Sequence, residues 1–117
     1  MKTPSNITLN KEKTILTITF DNAAYSLSAE YLRVYSPSAE VVGHGPGQEI
    51  LQLGKENVTI KSITPTGNYA IVLTFSDGHD TGIYSWLHLY NIATKQKDLW
   101  AKYLTKLDNA GHSHSQI

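Results

Sequence analysis

The sequence contains no cysteine. Disulfides, thiolate zinc sites, iron–sulfur ligation by this chain and cysteine nucleophiles are therefore excluded. It also lacks any apolar run approaching the ~20 residues of a membrane span, and its opening MKTPSNITLNKEK has no apolar core of the secretory kind. A soluble cytoplasmic protein that does not engage a membrane is expected. Without a secretion signal, Asn6-Ile7-Thr8 and Asn57-Val58-Thr59 are chance matches to the glycosylation pattern. Charge of one sign is missing too: 10 Lys plus Arg balance 10 Asp plus Glu. No overall field draws in a polyanion, so nucleic acid is not expected as a partner.

What is present suffices for one self-supporting domain. Hydrophobic residues make up 40% and charged residues 17% of 117 positions, enough apolar surface to offset chain entropy without a structural metal. Residues Thr14 to Phe20 alternate, with Leu16, Ile18 and Phe20 on one face and Thr17 and Thr19 on the other. That period of two predicts a half-buried strand. Asp21 and Asn22 break the pattern, and Tyr25-Ser26-Leu27 continue the sheet. Ser28 then stands as an N-cap before Ala29 to Val34, predicting a short helix near residues 28–35.

From Ser36 to Gly47, prolines and glycines oppose regular structure and predict an ordered loop. Val58 to Ile63 alternate again, Thr64 to Asn68 read as a turn, and Tyr69 to Phe75 carry apolar residues on both faces, as a central strand does. Asp77-Gly78 is a favoured hairpin pair, and Thr81 to Tyr84 return as a short strand. Ser85 caps a helical turn at residues 86–90, and Leu99, Trp100, Tyr103, Leu104 and Leu107 recur at helical spacing. The expected fold is α+β: small, mostly antiparallel sheets, the short helix near residues 28–35 and an amphipathic C-terminal helix. An arm at residues 1–9 precedes the domain at 10–92, with the helix at 93–109 and a flexible tail at 110–117.

Three segments together resemble the gamma-butyrobetaine hydroxylase-like N-terminal domain family. They are Leu32 to Val41 (LRVYSPSAEV), Gly43 to Gly47 (GHGPG) and Asp77 to Trp86 (DGHDTGIYSW), with Gly67-Asn68-Tyr69-Ala70 leading into the central strand. The resemblance implies a module found alone in small bacterial proteins, ahead of 2-oxoglutarate-dependent hydroxylases, and appended to P-loop ATPases that carry iron–sulfur clusters. It does not imply hydroxylase activity, because that chemistry belongs to a separate jelly-roll domain for which this chain is too short. The hydroxylase relatives hold a structural zinc through three cysteines and one histidine. The matching positions here are Ser36, Ser38 and Val41, with His79 the retained histidine. Hydroxyls and a valine do not replace thiolates, so no tightly bound zinc or iron is expected.

The remaining chemistry-bearing residues are few. Asp77 and His79 flank one turn, and with His44 they form a weak candidate metal site for zinc or iron; the plainer reading is a turn whose polar groups bond the backbone. The loop Gly43 to Gly47 lacks the Lys-Ser/Thr ending of a phosphate cradle and reads as a tight structural loop. Tyr84 and Trp86, flanked by apolar residues, read as core. His112 and His114 sit in the tail without an assigned role. No catalytic constellation is complete. The expected function is a non-catalytic binding or adaptor module, not an enzyme, with another protein as partner. The alternative is a metal-binding accessory protein, linked to iron–sulfur cluster handling.

Overall fold

The computed structural model describes residues 2–43, 45, 47–112 and 114. The chain runs β1 (Asn6–Leu9), β2 (Ile15–Phe20), β3 (Ala23–Ser28), α1 (Ala29–Val34), α2 (Ala39–Val42), β4 (Ile60–Thr66), β5 (Ala70–Phe75), β6 (Ile83–Ser85), α3 (Trp86–Thr94) and α4 (Gln96–Asn109). The strands form two antiparallel three-stranded sheets, β1-β2-β3 and β4-β5-β6. The α+β expectation holds. No helix among the described residues is long and apolar enough to cross a membrane.

The alternation in β2 is realised as predicted, since Leu16, Ile18 and Phe20 are buried while Thr17 and Thr19 are partly exposed. Burying each such side chain is worth ~1.5–3 kcal/mol, and this face anchors the main core. Asp21 and Asn22, which break the pattern, join β2 to β3 in a two-residue turn with φ of 48° and 68°. Short polar side chains tolerate that left-handed backbone, and the resulting turn matches the twist of the paired strands. β5 lies between β4 and β6, which is why Ala70 and Ile71 on its opposite faces are both buried.

Four differences from the sequence expectation have physical causes. Residues 6–9, without a predicted element, form β1 against β2, from Asn6↔Thr19 to Leu9↔Leu16. β4 continues to Thr66 through Pro65, which an edge strand tolerates because one side of its ladder is unpaired. The expected loop after Ser36 contains α2, begun by Ser38, whose hydroxyl accepts from Glu40 N at 3.2 Å. Gly43 ends it at φ 78°, where an added Cβ would lie 2.1 Å from the Gln48 carbonyl oxygen. The fourth difference is at α3, which extends to Thr94 rather than stopping after one turn.

Tyrosine hydroxyls tie these elements together. Tyr31 donates to Ile92 O at 2.6 Å, Tyr84 to Leu32 O at 2.6 Å, Tyr35 to Leu99 O at 2.6 Å and Tyr103 to Gln52 O at 2.7 Å. Each ring packs apolar surface while its hydroxyl satisfies a carbonyl of a distant segment. Tyr84 is wholly buried, as its apolar neighbours predict, whereas Trp86 is only partly so and donates its indole N–H to Asn68 O at 2.8 Å. All six residues of α1 are buried, including Glu30 and Arg33. Two charges in a buried helix require partners, and those partners define the polar sites of the molecule.

Candidate functional site

The chain leaves α1 at Val34, passes Ser36 and enters α2 at Ala39, while the loop between β5 and β6 brings residues 76–82 against the same corner. The Ser36 hydroxyl lies 2.8 Å from His79 Nε2, and His79 Nδ1 lies 2.9 Å from Glu40 Oε1. A carboxylate oxygen only accepts, so Nδ1 carries a proton, and the serine hydroxyl, which can donate or accept, pairs with Nε2. Ser36 Oγ in turn accepts from Ser38 N at 3.2 Å, and the Ser38 and Thr81 hydroxyls are 2.7 Å apart. Two segments distant in sequence are thereby clasped by hydroxyls and an imidazole.

Serine, histidine and glutamate in this order have the connectivity of a nucleophilic triad. Their surroundings oppose that use. Ser36 is 1% exposed, and a Cβ added to Gly82 would fall 2.4 Å from Ser36 Oγ. The glycine backbone packs directly against the hydroxyl, which blocks an acyl carbon from approaching on that side. Connectivity without access makes a structural clasp.

Asp77 faces elsewhere. Its Oδ2 accepts from Arg33 Nε at 2.9 Å and Lys55 Nζ at 2.7 Å, and its Oδ1 from His79 N at 3.2 Å. Burial pushes the carboxyl pKa up, but the bonds from Lys55, the His79 backbone and Arg33, with the Arg33 charge, outweigh it and hold the group at about 2. A second part-buried pair joins residue 114 to α1: His114 Nε2 lies 2.7 Å from Glu30 Oε2, and its ring meets Trp100 edge-on at 5.4 Å. The His114 contact supplies the partner that buried Glu30 needs.

The candidate metal residues are engaged by different groups. The Asp77 carboxylate bonds two cations, both His79 ring nitrogens are hydrogen-bonded, and His44 lies outside the described residues. Among the described residues no group of three or more His, Cys, Asp or Glu side chains is arranged to hold a metal ion. The zinc implied by the family resemblance does not fit this donor set. Ser36 and Ser38 are hydrogen-bonded hydroxyls, and Val41 is a buried hydrocarbon. Ser36, Ser38 and His79 do come together, through hydrogen bonds in place of thiolates.

Glu40, Thr81, Arg33 and Lys55 complete these networks and were not singled out from the sequence. Arg33 alone carried a signal, as a charge inside the apolar helix stretch around Leu32 and Val34. The others become partners only through tertiary contact.

The family model described as gamma-butyrobetaine hydroxylase-like, N-terminal, matches residues 7–90. Two structures solved in solution by NMR share the fold over 100% of this chain. One is 46% identical with a TM-score of 0.85, covering 95% of that protein. The other is 48% identical with a TM-score of 0.81, covering 88%. A crystal structure from Acidithiobacillus ferrooxidans, described as a protein of unknown function in the DUF971 family, is 33% identical over 77% of this chain and 91% of its own, with a TM-score of 0.63. No curated protein matches this chain closely enough to count as a relative.

Proposed function

Given that this chain belongs to the gamma-butyrobetaine hydroxylase-like N-terminal family, we propose that it is a non-catalytic binding module, an adaptor that docks another protein. One contrast carries the reading. The chemistry-bearing side chains Ser36, Ser38 and His79 are buried and hydrogen-bonded within the fold, whereas Tyr69, Ile83 and Leu87 are 53%, 51% and 58% exposed. Large apolar side chains left in water at one corner, where β5, β6 and α3 meet, are what a partner would cover.

Crosslinking with the wild-type chain and with Leu87→Asp tests this. Leu87 lies in the first turn of α3, where a carboxylate is tolerated, so the variant keeps its fold. A partner captured by the wild type and lost with Leu87→Asp supports the proposal. The same proteins captured by both, or none by either, would count against it.

A further inference from the structure

A cavity of about 550 Å³ opens between the end of α1, α2, the segment at residues 49–52 and the C-terminal half of α4. Its volume lies in the range that takes small organic ligands, roughly 300–1,000 Å³. Val34, Val41 and Tyr103, all buried, contribute to its walls. The cavity shares no residue with the exposed corner at Tyr69, Ile83 and Leu87.

The polar groups are unevenly placed. The Tyr103 hydroxyl is spent on Gln52 O, and Gln52 Nε2 on Ile50 O at 2.8 Å. His88, also in the lining, is 2.9 Å from Tyr35 O through Nε2, and burial lowers its pKa, so it adds no charge at neutral pH. That leaves Lys106 and Asn109 as donors without a partner among the described residues. They are three apart on α4, hence on one face, one turn beyond Tyr103. Glu49 lines the cavity from the 49–52 segment, also without an ion pair among the described residues.

We propose that this cavity binds a medium-length apolar molecule ending in a single carboxylate. The apolar body lies against Val34, Val41 and Tyr103, and the carboxylate accepts from Lys106 Nζ and the Asn109 amide. An ammonium end would find only Glu49 and would face Lys106. A second carboxylate would meet Glu49 or sit in apolar surroundings, so Glu49 restricts the charge to one. The site is independent of the adaptor reading, which rests on the other corner.

Amide NMR titration of the full chain with octanoate, octylammonium and octanedioate provides the test. Octanoate is expected to shift Val34, Val41, Leu51, Tyr103 and Lys106 saturably, with octylammonium leaving them in place and octanedioate binding more weakly. Lys106→Met, at an exposed position, is expected to weaken octanoate about fivefold to tenfold, the effect of losing one charge-assisted hydrogen bond in partly exposed surroundings. Equal shifts from octanoate and octylammonium would overturn the proposal by reducing the cavity to an unselective apolar crevice. Absence of shifts at these residues, or octanoate binding unchanged by Lys106→Met, would overturn it as well. Leu87→Asp should leave octanoate binding intact, which separates this result from the fate of the adaptor reading.

Discussion

The Ser36 hydroxyl and His79 Nε2 stand 2.8 Å apart across 43 residues of chain, and both residues are buried. With Glu40 on the other ring nitrogen, this contact orients the imidazole and holds the loop after β5 against the segment after α1. Ser36→Ala would leave the buried Nε2 without its hydrogen-bond partner. A loss of about 1–3 kcal/mol is expected in urea unfolding, the cost of a stranded buried polar atom. A change near zero would mean that the clasp contributes nothing to stability.

Gly82 is in its position because of Ser36. Its added Cβ would lie 2.4 Å from Ser36 Oγ and 3.2 Å from the Tyr84 ring, and both neighbours are buried. Gly82→Ala is expected to destabilise by about 1–3 kcal/mol through overpacking. Gly45→Ala is the comparison, since the nearest atom to its added Cβ is 4.0 Å away, and a change within about 0.5 kcal/mol is expected there. Equal thermal midpoints for the two variants would contradict this account.

The ion pairs of Asp77 give the fold an acid limit. Its pKa is about 2 when folded, against 3.8 ordinarily, so the stabilisation is fully present above about pH 4 and is lost as pH falls through about 2. The side chain is 26% exposed, and solvent screening reduces the contribution to about 1–2 kcal/mol. Asp77→Asn should lose that amount at pH 7 and show a shallower decline of stability between pH 4 and 2. Unfolding curves at several pH values would measure both.

His88 acts in the opposite range. Burial lowers its pKa, so below its ordinary value near 6.5 the unfolded chain takes up a proton that the folded chain resists. Its effect on stability is nil well above that value and increasingly unfavourable as pH drops below it. His88→Gln is expected to flatten the wild-type fall in stability between pH 7 and 5. If the slopes coincide, His88 is not the residue responsible.

Much of the scaffold is legible along the chain because it depends on local patterns. Leu16, Ile18 and Phe20 alternate, and a strand with one buried face follows. Ser28 and Ser85 precede helical stretches, and each hydroxyl accepts the backbone N–H three residues on, Tyr31 N at 3.0 Å and His88 N at 3.1 Å. β1 was less legible, because four residues with only Ile7 and Leu9 facing inward resemble a polar arm until β2 is there to pair with them. α2 was hidden by the prolines and glycines around it, although its Ser38 cap was in view.

Composition by itself decided that this protein has no thiolate chemistry, and the three matching segments decided its family. Only the tertiary structure decided what the remaining polar residues do. Asp77 and His79 are neighbours in sequence, yet the carboxylate goes to Arg33 and Lys55 while the imidazole goes to Ser36 and Glu40. A polar side chain that leaves water must find its partner in space, and these partners lie 22 to 44 residues away. Spacing along a chain does not encode such distances. Packing of the two sheets and four helices sets them.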